Sequence, residues 1–276
     1  MRRREFIAGA ALSVCGLKAA SAIRVGMIPD AGATQVSIDQ KGPLRDYLAR
    51  AVGQEVSLIV PTNYNATVEG LGNGSLDFAY LGGLTYVKAH QMYGVIPLVQ
   101  RAADKQFHSL MIAPAGSALK KPADLKGKSF AFGDINSTSG HLIPFSVMKA
   151  AGLDVDKDLK YRYTGSHPAT AKAVESGAVD AGAIDESVFR QMVSSGAVDG
   201  KKVQVFFTSQ PFLDYVWVAR KDIGSAEQAK FSAAFMDLKP GRDAAILDIL
   251  RGENFVRVND GEYEDIRRIA RELKML

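Results

Sequence analysis

Beyond residue 22 the chain alternates between two hydrophobic rhythms. Short, nearly continuous apolar runs at 23–28, 56–60, 77–81 and 95–99 have the length and composition of strands. Leu44, Tyr47, Leu48 and Val52 recur at helical spacing after Pro43, so an amphipathic helix is predicted over 43–52. Helices are predicted over 66–71 and 84–92 as well, the second entered through Gly82-Gly83. The series then starts again. Extended runs fall at 108–113, 128–132, 179–184, 203–207 and 215–219, with helical stretches at 122–125, 139–151, 169–176 and 186–194. From 226 onward the pattern is mostly helical, at 226–236, 243–250 and 263–273. Strands followed by helices at this pitch predict βαβ units and a largely parallel sheet.

No low-complexity linker or short repeat separates the two series. Two α/β lobes joined by short extended crossovers, near 107–112 and 209–218, account for this. One lobe is expected to comprise 23–108 plus 213–276, the other 109–212, with the C-terminal helices folding back on the first.

Composition narrows the class. With 276 residues, 47% hydrophobic and 23% charged, the chain is neither disordered nor collagen-like nor a disulfide scaffold. The net charge of +4 invites a nucleic-acid reading, but its position removes it: Arg2, Arg3, Arg4 and Lys18 against Glu5 put +3 into residues 1–22. What remains, 30 basic and 29 acidic residues, is nearly neutral. No nucleic-acid partner is expected.

Residues 1–22 have the layout of a signal peptide. Arg2–Arg4 form a basic segment, an apolar stretch of 12 residues follows from Phe6 to Leu17, and Ala20-Ser21-Ala22 supplies the small residues of a cleavage site. Spanning hydrocarbon would take about 20 residues. Arg3-Arg4-Glu5-Phe6-Ile7 resembles a twin-arginine export signal, although a general-pathway signal often carries paired arginines too. Either route ends outside the cytoplasm, here the periplasm. Leu12-Ser13-Val14-Cys15 loosely resembles a lipoprotein box, but Val14 is a poor fit before the cleavage point, so cleavage after Ala22 without a lipid anchor is expected. The mature chain then has no cysteine, which excludes a disulfide, a thiolate metal site and a cysteine nucleophile.

The most informative stretch is Asp134-Ile135-Asn136-Ser137-Thr138-Ser139-Gly140-His141-Leu142-Ile143-Pro144, between a predicted strand and a predicted helix. Ser137, Thr138 and Ser139 can cap the first turn, while the free backbone N–H groups there face whatever lies ahead of the helix. With the dipole behind them they form an anion site needing neither metal nor net charge. A plain helix N-cap would use the same residues. Pro144, inside the first turns, predicts a bend or a late helix start.

This stretch resembles the periplasmic binding components of phosphonate and phosphite ABC importers. Three other segments agree in order and spacing: Thr62-Asn63-Tyr64-Asn65-Ala66; Asn73-Gly74-Ser75-Leu76-Asp77-Phe78-Ala79-Tyr80-Leu81-Gly82, with Tyr86 shortly after; and Ala123-Asp124-Leu125-Lys126-Gly127-Lys128. The resemblance covers most of 23–220. It implies an α/β fold of the type II periplasmic binding protein class, two hinged lobes closing over a ligand in the cleft between them. By the same resemblance Ser137, Thr138 and Ser139 hold phosphoryl oxygens from one lobe, Tyr64 and Tyr80 reach in from the other, and His167 in Thr164-Gly165-Ser166-His167-Pro168 contacts the ligand. Asp185 is expected to face either a substrate amine or a protonated phosphoryl oxygen, with Glu186 beside it leaving the register open. His141 reads as a packing or surface residue, Trp217 as a packing residue, and Asp214-Tyr215 as a weaker site candidate.

The expected function is therefore a monomeric periplasmic receptor that captures phosphonate, phosphite or phosphate and hands it to an ABC permease with its ATPase. Another small organic anion, or a membrane sensor in place of the transporter, is the alternative. An enzyme would need a metal cluster or an activated nucleophile. The four histidines show no ligand spacing and no Gly-x-Ser-x-Gly elbow occurs, so neither catalysis, cofactor nor metal is expected.

Overall fold

The computed structural model describes residues 21–276. Residues 1–20, which carry the predicted leader's basic and apolar segments and Cys15, lie outside the described residues. The chain runs through β1 (Ile23–Met27), α1 (Gln35–Asp39), α2 (Gly42–Val52), β2 (Val56–Ile59), α3 (Tyr64–Gly72), β3 (Phe78–Leu81), α4 (Gly83–Tyr93) and β4 (Ile96–Arg101). It continues with β5 (Ser109–Pro114), β6 (Ser129–Phe132), α5 (Ile143–Ala150), α6 (Val155–Asp158), β7 (Lys160–Tyr163), α7 (His167–Glu175), β8 (Ala181–Asp185), α8 (Glu186–Ser194) and β9 (Val203–Thr208). The last part holds β10 (Val216–Ala219), α9 (Ser225–Met236), α10 (Ala244–Leu250), β11 (Phe255–Arg257) and α11 (Glu264–Glu272).

Two sheets result, a six-stranded one in the order β11-β4-β10-β3-β1-β2 and a five-stranded one in the order β7-β6-β8-β5-β9. The expectation of a largely parallel sheet needs correction. β1 pairs in parallel with β2 and β3, and β6 with β7 and β8. β10 is antiparallel to β3 and β4, β11 to β4, and β5 to β8 and β9. The reason is topological. The chain leaves the large sheet through 102–108 and returns through 209–215, so the outgoing β4–β5 and returning β9–β10 run in opposite directions. Phe107 and Phe212 join the two crossovers by reciprocal backbone hydrogen bonds of 3.0 and 2.9 Å.

Alternation and helical spacing locate most elements to within two or three residues. The four that they miss, α1, α6, β7 and β11, are five residues or shorter. β7 and β11 are also edge strands; β7 is largely solvated, and β11 is three residues long and buries only Phe255, too short a run to show a period.

Helix α9 covers one face of the large sheet, and α11 packs against α4. Phe231 of α9 stacks on Phe78 of β3 with centroids 4.0 Å apart, and Phe235 packs on Trp217 at 4.7 Å. All four are at most 1% exposed, and each such side chain is worth ~2–3 kcal/mol of burial. Asp77, inside the Asn73–Gly82 motif, holds the fold together at this point. It accepts the Arg24 amide at 2.9 Å and pairs with the Arg24 and Arg220 guanidiniums, fastening β1 to the β3 entry.

The predicted helix from 139 begins differently. Thr138–Leu142 form a π-helical turn, with the Leu142 N–H bonded to the Ser137 carbonyl at 3.0 Å, and α5 starts only at Ile143. Pro144 explains the break, because it has no N–H for the Gly140 carbonyl. That carbonyl accepts instead from the Gly133 N–H at 2.9 Å, which ties the turn to the end of β6.

Candidate functional site

Five helix starts converge between the two sheets: α3 at Tyr64, α4 at Gly83, the π turn at Thr138, α7 at His167 and α8 at Glu186. Each presents N–H groups that have no partner inside the helix, and each directs the positive end of its dipole inward. All seven residues expected to bind ligand lie here and are at most 3% exposed.

Ser137 caps the π turn, its hydroxyl accepting the Gly140 N–H at 2.9 Å. The Thr138 hydroxyl accepts the Leu84 N–H of α4 at 3.0 Å, across the gap between the sheets. Ser139 is pinned by its carbonyl, which accepts from the Ser109 hydroxyl at 2.6 Å. The amides of Thr138 and Ser139 have no acceptor among the described residues.

His167 opens α7 under the Ser166 cap. Its Nδ1 accepts the Asp185 backbone N–H at 3.3 Å, so the neutral ring carries its proton on Nε2, and that atom is buried with no partner. Burial lowers the His167 pKa, although Asp185 and Asp30 oppose it, which keeps the ring a neutral donor. The turn and the ring are in close contact: a Cβ on Gly140 would stand 2.9 Å from Ser137 Oγ and 3.1 Å from His167 Cε1.

Tyr64 and Tyr80 supply the opposite wall. Asn63 caps α3, and the Tyr64 amide donates to Asp134 Oδ2 at 3.4 Å, just ahead of the Ser-Thr-Ser turn. Tyr80, on β3, lies parallel to Tyr215 at a centroid distance of 4.8 Å. Both Tyr64 and Tyr80 hydroxyls are buried without a hydrogen-bond partner. Tyr86, by contrast, donates to Asp260 at 2.7 Å and takes no part.

Two buried acids differ in how far their oxygens are engaged. Asp185 caps α8, its Oδ1 accepting from the Val188 amide at 2.8 Å and the Ser187 hydroxyl at 2.7 Å, while Oδ2 accepts from Tyr215 at 2.6 Å. Burial works to raise its pKa, but His167, Arg251 and Arg101 bring it below the ordinary value. Asp214 is the reverse. Its Oδ1 accepts the Gly83 N–H at 2.8 Å and Oδ2 is buried with no partner. Burial pushes its carboxyl up to about 8, against the Gly83 amide and the Thr138 hydroxyl and with help from Asp185 and Asp104. An acid at neutral pH with a free oxygen can donate a hydrogen bond. Asp214 was only a weak candidate in the sequence; the signal for it is a lone carboxyl inside the apolar run Phe212-Leu213-Asp214-Tyr215-Val216-Trp217.

The cations around the site are all engaged. Arg101 pairs with Asp104, its Nε donating at 2.8 Å, Arg251 pairs with Asp30, and Lys88 donates to Asn136 at 2.6 Å across the gap. The unengaged groups are therefore neutral donors, two phenols, an imidazole N–H, a carboxyl and first-turn amides, all of them on buried residues. His141 stands apart: Nδ1 meets the Ile135 carbonyl at 2.7 Å and Nε2 the Tyr163 hydroxyl at 2.9 Å.

Residues 25–263 match the family model described as ABC transporter, phosphonate, periplasmic substrate-binding protein. A probable ABC transporter phosphite binding protein, PhnD1, from Prochlorococcus marinus (strain MIT 9301) is 31% identical over 270 residues, 92% of this chain and 90% of that protein. A phosphate-import protein, PhnD, from Mycolicibacterium smegmatis is 25% identical over 253 residues, covering 83% and 78%. The structure of PhnD1 from Prochlorococcus marinus (MIT 9301) in complex with methylphosphonate superposes with a TM-score of 0.86 at 29% identity, covering 92% of this chain and 99% of that one.

Proposed function

This chain belongs to the periplasmic substrate-binding proteins of phosphonate ABC transporters, and from that premise we propose that it captures a small phosphorus oxyanion between its lobes. The observation that carries this reading is that Tyr64 Oη, Tyr80 Oη, His167 Nε2 and Asp214 Oδ2 are all buried without a partner, on residues at or beside the helix starts packed around the turn whose Thr138 and Ser139 amides are free. Uncompensated burial of such groups is costly. A tetrahedral oxyanion would satisfy them together, its charge spread over helix dipoles rather than met by a cation.

Lobes divided as 23–108 plus 213–276 and 109–212 fit this reading, with the two crossovers as hinge. Closure brings Leu84 to Thr138, Lys88 to Asn136 and Tyr215 to Asp185. Each of these pairs adds free energy to the closed form alone, so a ligand that completes the site shifts the population toward closure. The Asp185 oxygens already serve Ser187, Val188 and Tyr215. Asp185 is thus a positioning residue, and the ligand is a bare oxyanion such as phosphite or methylphosphonate rather than an aminoalkyl phosphonate. Asp214 donates its proton to one oxygen of the bound ion.

The protein acts as a monomeric receptor in the periplasm, delivering its ligand to a permease and ATPase, and does no chemistry on it. His167 Nδ1 faces an amide and Nε2 no hydroxyl among the described residues, so this imidazole is placed as a ligand donor and not as a base beside a nucleophile. A thermal-shift panel on residues 23–276 tests the reading, with phosphite, methylphosphonate, phosphate, 2-aminoethylphosphonate and sulfate. A ligand at about 1,000 times its Kd adds roughly 4 kcal/mol and shifts Tm on the order of 10 °C. Equal response to sulfate and phosphite, or a flat panel, would overturn it.

A further inference from the structure

Arg251 terminates α10 in the left-handed conformation, with φ of 53°, a place where helices usually put glycine. Its side chain accounts for the exception. The guanidinium pairs with Asp30, which is 1% exposed, and its Nε donates to Ser187 Oγ at 3.2 Å. Asp30 and Arg251 both belong to the half of the chain that builds the large sheet, whereas Ser187 lies on α8 against the small one.

Two further bonds lead from this pair to the candidate site. The Asp30 carbonyl accepts the His167 N–H at 3.3 Å, and Ser187 donates to Asp185 Oδ1 at 2.7 Å. Arg251 also divides two grooves between the lobes. One, of about 700 Å³, is lined by Arg101, Ser187 and Leu247; the other, of about 420 Å³, by Lys41, Pro168 and Ile249. Arg251 lines both. Gln191 of α8 lines both as well, so at this seam Arg251 is the contribution of the large-sheet half and Gln191 that of the small-sheet half.

We propose that Arg251 is a closure residue: held rigidly by Asp30 on one lobe, it reaches Ser187 on the other when the lobes shut, and so sets how long ligand is retained without touching it. This rests on the site being an oxyanion receptor. A group fixed in advance loses little freedom on making its last bond, so that bond contributes nearly in full to the closed state.

The test uses the mature protein with phosphite as probe and three variants. Ser187→Ala removes the acceptor and leaves the Asp30 pair intact, Arg251→Lys keeps the charge beside Asp30 without the Nε donor, and Ser187→Thr retains an acceptor hydroxyl. Stopped-flow binding should show roughly ten-fold weaker phosphite binding for the first two, nearly all of it in faster dissociation. Ser187→Thr should restore the wild-type rate, and the Ser187→Ala, Arg251→Lys double variant should be no worse than Ser187→Ala alone, which also loses the Ser187 bond to Asp185. Additive losses, or a loss confined to association, would overturn the proposal. Small-angle scattering of the unliganded forms separates the two readings. If wild type does not bind phosphite, the oxyanion reading fails, while the closure role still predicts a larger radius of gyration for the first two variants than for wild type. Unchanged radii in that case would overturn it too.

Discussion

The Tyr215 hydroxyl donates to Asp185 Oδ2 at 2.6 Å, joining the crossover just ahead of β10 to the last residue of the small sheet's central strand. Both residues are at most 2% exposed. In an open protein water would solvate the carboxylate, so the bond is worth most in the closed state. Tyr215→Phe should therefore weaken phosphite binding by about ten-fold, the scale of a hydrogen bond to a charged group. The unliganded Tm should move by no more than a degree or two. Calorimetric titration with a parallel melt decides it, and an unchanged Kd would show that Asp185 does not need Tyr215 for closure.

Asp214 gives the site a pH dependence with a defined sign. Its folded-state pKa, about 8, stands above the unfolded value, which is about 4. Its contribution to stability is then complete below pH 4 and lost as pH rises through about 8. Asp214→Asn keeps an acceptor for Gly83 and a donor toward the ligand but cannot titrate. Between pH 5 and 8 the phosphite-loaded wild type should lose stability relative to this variant, by up to about 1.4 kcal/mol per pH unit. Parallel Tm-against-pH curves would mean that Asp214 is ionised in the closed form.

His141 works in the other direction. Burial lowers its pKa to about 4, against the Ile135 carbonyl, which favours the proton. A histidine held below its unfolded value of about 6.5 adds stability above that pH and loses it as pH falls toward 4. The loss amounts to roughly 3 kcal/mol at most by the same linkage. His141→Gln should be less stable at pH 7 yet flatter in acid, with His167 leaving a remaining slope of the same sign. Urea unfolding at pH 4, 5, 6 and 7 checks this, and an equal acid slope in both proteins would refute it.

How much of this was legible beforehand depends on which physical signal each part leaves. The helices and inner strands were readable because burial on one face imposes a period, as in Leu44, Leu48 and Val52 of α2. The Ser-Thr-Ser turn was readable because capping chemistry is local: Ser137 bonds a residue only three positions on. Strand direction was not, since a strand buried on both faces reads alike whether its neighbour is parallel or antiparallel. Tertiary partners were not either. Asp185 reads as a ligand contact by the family resemblance and by no local pattern, and only the fold brings Tyr215 to it, 30 residues away. Asp30 and Arg251 are 221 positions apart, a pairing for which no local pattern exists.

The tightest sterics in the site yield the last prediction, from two neighbouring glycines. Gly140 lies inside the π turn, and a Cβ there would stand 2.9 Å from Ser137 Oγ, 3.1 Å from His167 Cε1 and 3.2 Å from the Gly133 Cα. Two of these neighbours are proposed ligand-binding residues and the third is backbone, so none can yield without moving the site. A Cβ on Gly133 would meet the Gly140 Cα at 3.4 Å and His167 at 3.8 Å, which are ordinary contacts. Gly140→Ala should therefore destabilise by about 1–3 kcal/mol, as overpacking does, and displace either the Ser137 cap or the His167 ring. Phosphite binding should fall at least ten-fold, because a donor moved by even half an ångström loses its alignment. Gly133→Ala should stay within about 0.5 kcal/mol of wild type and bind phosphite almost unchanged. The pair is informative because both substitutions add the same methyl group within one turn of the same site. If both variants bind as wild type does, the Ser137–His167 contact is not what orients the ligand donors.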